Sequence, residues 1–170
     1  MPAPTPGHVF LVDDNPDIRH NLSHLLRKIG YSVDTFADAA EFIRLAPRLS
    51  PAVLVLDVRM PQMTGVQLQA HLVARGWHTP VVFISGESEH HEIIQAMKAA
   101  NIDMKNVVVG GVDSDRLYPL RLQEEIADGI STCSGLEILK SKDGHDGFLT
   151  EADAVAGLLR RTMEFARTAR

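Results

Sequence analysis

The sequence predicts a doubly wound α/β fold built on a parallel sheet. Three observations carry that expectation. Short apolar runs begin at His8, Tyr31, Pro51, Pro80 and Asn106, spaced 23, 20, 29 and 26 residues apart, about one strand plus one helix each. Helical patterns fill the intervals. Two of the runs, Val53 to Leu56 and Val81 to Ile84, are apolar throughout, which marks strands covered on both faces.

The elements follow in order. After the run His8 to Val12, Asn15 is placed to cap a helix, Pro16 suits its first turn, and Ile18, Leu22, Leu25, Leu26 and Ile29 fall on one face before Gly30 stops it. The run Tyr31 to Phe36 precedes a second helix, opened by Asp38 with Glu41 three residues on and closed before Pro47. The run Pro51 to Leu56 leads to a third helix from about Thr64 to Arg75. The run Pro80 to Ile84 leads to a fourth, from about Ser88 to Ala100, whose buried stripe is Ile93, Ile94 and Met97. A fifth strand is expected at Asn106 to Val109 and a fifth helix after Ser114, carrying Leu117, Leu120, Leu122 and Ile126. Gly129 to Gly147, with Ser131, Ser134 and Ser141, has the composition of a linker. Thr150 to Thr168 forms a last amphipathic helix with Val155, Leu158, Leu159 and Phe165 apolar. The domain boundaries expected are therefore an N-terminal tail over 1–7, the α/β domain over 8–128, a linker over 129–149 and a C-terminal helix over 150–170.

Composition narrows the function. Of 170 residues, 17 are Lys or Arg and 22 are Asp or Glu, a net charge of −5, so direct nucleic-acid binding by a basic chain is not evident. With 45% hydrophobic residues there is enough apolar material for one ordinary core. No apolar run reaches the roughly 18 residues of a membrane span, and the opening MPAPTPGHVF lacks the pattern of a signal peptide. A cytoplasmic protein with no membrane association is expected, in agreement with the single Cys133.

In an open parallel sheet, ligands bind beyond the carboxyl ends of the strands. Asp13 and Asp14 follow the first run, Asp57 follows the third and Ser85 the fourth. Three carboxylates converging on one mouth repel each other unless a cation sits between them. Oxygen ligands favour magnesium, and an aspartate beside such an ion can attack a phosphoryl donor.

These residues stand in Val12-Asp13-Asp14-Asn15, in Asp57-Val58-Arg59-Met60-Pro61-Gln62-Met63-Thr64-Gly65 and in Phe83-Ile84-Ser85-Gly86. Over residues 8 to about 100 the chain resembles the receiver domain of two-component response regulators, in its wording most like the FixJ type. That resemblance implies a flavodoxin-like (βα)5 fold and a phosphorylation-controlled switch rather than an enzyme. It implies that Asp57 is the phosphoacceptor, modified by a sensor histidine kinase. It also implies that Mg2+ is held by Asp13, Asp14, Asp57 and the backbone carbonyl of Arg59, and that the Ser85 hydroxyl hydrogen-bonds the phosphoryl group. Pro61 is expected to fix a turn after Asp57, and Gly65 to supply backbone geometry that other residues disfavour.

The resemblance breaks after residue 100. The family carries Gly-Ala-x-Asp-Phe-x-x-Lys-Pro there, whereas aligning on Asp103 puts Val107 and Val108 where Lys-Pro should stand and Met104 where the aromatic residue should. Lys105 lies two positions early, about 7 Å along a strand. It is either a solvated lysine at a strand edge or, through a slipped fifth strand, the lysine that contacts the phosphoryl group. The alternative function is thus a pseudo-receiver, an interaction module that keeps the fold and switches weakly or not at all. A magnesium-dependent hydrolase ranks last, because Arg59 occupies the position where such an enzyme needs its second acid.

Weaker signals have plainer meanings. His20 and His24, four apart on the first helix, and the pair His90-His91 read as solvated histidines. Asp143 to Leu149 falls short of a calcium loop, since Lys142 and Gly144 occupy ligand positions. Arg160, Arg161, Arg167 and Arg170 complement a helix C-terminus. The apolar stripe of the last helix must pack somewhere, on the receiver's own surface, on the same helix of a second copy or on a further output domain, and a homodimer formed through it is the expected use.

Overall fold

The computed structural model describes residues 7–48, 52–84, 109–112, 136–143 and 147–168, together with the single positions 121, 124 and 128. Four strands, β1 (His8–Val12), β2 (Ser32–Phe36), β3 (Ala52–Asp57) and β4 (Val81–Ile84), pair in the order β2-β1-β3-β4, all parallel. Between them run α1 (Pro16–Lys28), α2 (Ala39–Leu45) and α3 (Gly65–Ala74). This is the doubly wound arrangement expected from the spacing of the apolar runs.

Local chemistry sets each boundary. Asn15 caps α1 by accepting from the amides of Asp17 and Ile18, with Pro16 next in line. Gly30 ends α1 at φ +101°, and the amides of Gly30 and Tyr31 return to the carbonyls of Arg27 and Leu26, the two bonds of a Schellman motif. At α2 the Asp38 carboxylate accepts from Glu41 N at 2.7 Å, as the sequence predicts. The Glu41 carboxylate reaches back to Ala37 N, one residue before the cap. Thr64 and Gln67 form the full reciprocal capping box at α3.

Strand periodicity divides the core into two layers. On one face Val9, Leu11, Val53, Val55 and Val82 pack against Leu22, Leu25 and Leu26 of α1. On the other, Phe10, Val12, Leu54, Leu56 and Val81 pack against Phe42 of α2 and Leu68 and Leu72 of α3. Trp77 lies at the edge of the second layer, stacked on Phe42 with ring centroids 5.2 Å apart.

The second half differs from expectation in two respects. The strand expected at Asn106 to Val109 is β5 (Val109–Val112), sharing Val109 alone with the expected run. Among the described residues it pairs, not with the four-stranded sheet, but with β6 (Leu136–Leu139), in parallel register. The stretch 129–149 is not a featureless linker, because it contains β6 and the start of α4 (Gly147–Thr150). Leu136-Glu137-Ile138-Leu139 holds three apolar residues in four, hidden among flanking glycines and serines. The fourth expected helix, His90-His91, Cys133 and most of the expected fifth helix lie outside the described residues.

The final helix, α5 (Ala152–Thr168), forms where the amphipathic pattern places it. Its Val155, Leu158, Leu159 and Met163 are buried in the same layer as α1, against β1, β3 and β4. The stripe is therefore covered by the chain's own sheet, which removes the physical reason for association through it. The side-chain placement of Phe165 lies outside the described residues.

Candidate phosphoacceptor and metal site

The site forms where β1 and β3 end side by side. Their registers, Val12 with Leu56 and Asp57 with Ile84, bring the residues after β1, the last residue of β3 and the end of β4 to one rim of the sheet. Asp13, Asp14 and Asp57 converge there, each offering a carboxylate oxygen, and these oxygens lie within 4.8 Å of one another. Asp13 is 2% exposed, Asp57 is half-buried and Asp14 is open to solvent.

Each acid is held by its neighbours. The Asp13 amide donates to Phe36 O, its carboxylate accepts from Asn15 N at 2.8 Å, and its carbonyl accepts from Arg19 Nη1 at 2.7 Å. The Asp57 carboxylate accepts from Arg59 N at 3.2 Å. Beyond Asp57, Met63 N donates to Pro61 O at 2.8 Å, closing a three-residue turn with Gln62 at φ +68°. Val58 N then bonds Ile84 O, and Gly65 N bonds Val58 O. The loop after the acid is thus tied to both β4 and α3.

Crowding and burial oppose ionisation. Burial, with the Asp13 and Asp14 charges adding to it, pushes the Asp57 carboxyl up from 3.8 to about 7, against the pull of the Arg59 N–H. Asp13 is raised as well, chiefly by burial, with Asp14 adding to the rise and the Asn15 N–H and the Arg19 guanidinium opposing it. A mouth that disfavours its own negative charges is suited to a divalent cation, and Asp13, Asp14 and Asp57 are the residues able to share one.

Of the residues singled out in the sequence, the structure brings together Asp13, Asp14 and Asp57, with Arg59 beside them through its N–H. Ser85 follows Ile84, the register partner of Asp57, and lies outside the described residues, as does Lys105. Gly65 is essential for a different reason from the one expected: its φ is not positive. A Cβ built there would lie 2.2 Å from the carbonyl oxygen of Asp57, so the glycine permits close approach of α3 to β3. Sequence reasoning missed Arg19. Its signal was a basic residue one turn into the helix that starts at the acidic loop.

The family model of the response regulator receiver domain matches residues 9–118. This chain belongs to the response regulator receiver family. Among solved structures, the receiver is similar to the response regulator StyR, with TM-score 0.58 and 26% identity over 97% of this chain and 63% of that one. The chemotaxis protein CheY4 of Vibrio cholerae has TM-score 0.57 at 22% identity, over 92% of this chain and 98% of its own. FixJ-N has TM-score 0.51 at 23% identity, over 92% and 93%. The last two likenesses bear on the fold alone.

A second likeness is of another kind. Over 60 residues the chain is 58% identical to homoserine O-acetyltransferase of Mycobacterium leprae (strain TN), covering 35% of this chain and 16% of the enzyme. Over 63 residues it is 60% identical to the same enzyme of Nocardia farcinica (strain IFM 10152), covering 37% and 16%. The chain spans about one sixth of the length of these curated relatives.

Proposed function

We propose that this receiver is a cytoplasmic, phosphorylation-controlled switch, not an enzyme, in which Asp57 accepts a phosphoryl group from a sensor histidine kinase. The observation that supports the reading is the convergence of Asp13, Asp14 and Asp57 at the carboxyl rim of a parallel sheet. A carboxylate oxygen of Asp57 forms the new P–O bond as the P–N bond to the donor imidazole breaks, and the imidazole takes up a proton. Asp13, Asp14 and Asp57, with the backbone carbonyl of Arg59, would hold Mg2+, which supplies charge neutralisation for the transferred oxygens. Arg59 N–H fixes the orientation of the Asp57 carboxylate. Asn15 N–H fixes that of Asp13, and Arg19 holds the Asp13 backbone through its carbonyl. In this reading Ser85 and Lys105 are the candidate contacts to the phosphoryl group.

No helix among the described residues is long and apolar enough to cross a membrane. The test is incubation with a small acyl phosphate and Mg2+, followed by intact mass. An increase of about 80 Da, one phosphoryl group, is expected, absent in Asp57→Asn and in protein stripped of divalent ions. Labelling that persists in Asp57→Asn sinks the assignment.

A further inference from the structure

The family model of the receiver ends at residue 118, whereas the receiver motifs end earlier, at Gly86. Receiver motifs run from Val12 to Gly86 and the receiver pattern continues to about residue 100, leaving residues 101–170. The acetyltransferase likeness needs 59 to 63 residues, and residues 101–170, whose first part up to 118 the receiver family model also covers, are the stretch without receiver motifs that is long enough for it. The break in the receiver pattern at residue 100 and the separate pairing of β5 with β6 agree with a join at this point.

We infer that the C-terminal segment is the acetyltransferase-like part, and that its last helix serves as the closing layer of the receiver core, so that the two parts form a single folding unit. The seat of α5 carries the inference. Val155, Leu158, Leu159 and Met163 recur at helical spacing and are 2–9% exposed. They share one cluster with Val9 and Leu11 of β1, Val53 and Val55 of β3, Val82 of β4 and the buried leucines of α1. Leu149 and Ala152 extend that contact at the helix start.

The sheet needs this cover. β1 and β3 are apolar on both faces, and strands of that kind are stable only with a layer on each side. The polar group caught in the interface is satisfied within the helix: Thr162, wholly buried, donates its hydroxyl to Leu158 O at 2.9 Å. Asp153, Arg160 and Glu164 lie on the exposed side of α5. The helix is thus amphipathic in the sense the seat requires, with its apolar side toward the receiver sheet.

The experiment is amide hydrogen exchange on the full chain. Leu159→Ala removes buried packing at the centre of the seat, and Val155→Ala does so at its edge, where the fold is better able to tolerate the loss. If the two parts are one unit, either variant accelerates exchange of the β1 and β3 amides of Leu11 and Val55 by about tenfold or more, in step with those of α5. The chain also melts in one transition. Faster exchange confined to α5, with β1 and β3 unchanged, overturns the inference. So does intact β1 and β3 protection after the full chain is cut at a protease site inserted between Thr132 and Cys133 and its C-terminal piece is removed.

Discussion

Gly65 sits so close to Asp57 that a methyl group on it would lie 2.2 Å from the Asp57 carbonyl oxygen and 3.0 Å from Leu56 Cγ. The first neighbour is backbone and has no flexible end to swing away. Gly65→Ala must therefore push α3 off β3 or move the acid itself. Overpacking of this kind costs about 1–3 kcal/mol. We expect urea unfolding to show a loss in that range and acyl-phosphate labelling of Asp57 to slow in the surviving folded protein. Unchanged stability would mean that α3 yields without cost.

The acidic mouth gives stability a definite pH dependence. The Asp57 carboxyl titrates near 7 when folded and near 3.8 when unfolded, so between those values the folded protein holds the extra proton. Stability from this group is fully present below about pH 4 and is lost as pH rises through 7. Denaturation in the absence of divalent ions should show that decline, and Asp57→Asn should remove much of it. At pH 8 we expect the variant to be more stable by about 1–2 kcal/mol, solvent at the half-buried site screening the rest. Mg2+ should flatten the wild-type profile. A profile that is already flat without ions would contradict the origin assigned to the shift.

The turn into α3 offers a simpler test. Thr64 Oγ1 accepts from Gln67 N at 3.2 Å while Gln67 Oε1 accepts from Thr64 N at 2.9 Å. Thr64→Ala leaves the Gln67 amide without its side-chain partner, and loss of such a cap costs about 1 kcal/mol. Thr64→Ser should restore most of it in a thermal melt, whereas a Ser variant as weak as Ala would show that the methyl group, not the hydroxyl, matters.

What was legible in the sequence was local. Asn15, Pro16, Asp38, Thr64 and Gly30 announce helix ends through groups that act within a few residues, and the runs Val53 to Leu56 and Val81 to Ile84 announce two-sided burial. The three acids were legible because strand ends in a parallel sheet share one rim. Contacts made across the fold were not. The need for Gly65 comes from a neighbour eight residues back and one layer away, not from its own backbone angles. The strand Leu136–Leu139 was masked by glycines and serines whose usual meaning is a loop. The seat of α5 on β1 and β3 could not be chosen from sequence, because an apolar stripe specifies that it will be buried and not by what.

Arg19 provides the last prediction. Its guanidinium donates to the Asp13 carbonyl at 2.7 Å and opposes the rise that burial imposes on the Asp13 carboxyl. Two effects should therefore separate on substitution. Arg19→Met keeps an apolar stem but loses the hydrogen bond and the charge, at a cost of about 1 kcal/mol for a half-buried group. Without the nearby cation Asp13 is raised further, so the ion-free protein should lose stability more steeply as pH rises, by the same sign argument as for Asp57. Arg19→Lys returns the charge without the planar fork, and should recover the wild-type pH slope while leaving part of the stability loss in place. Urea midpoints at pH 5.5 and pH 8 resolve the two. If Met and Lys variants share one pH slope, Arg19 acts on Asp13 through packing alone and its charge has no part in the site.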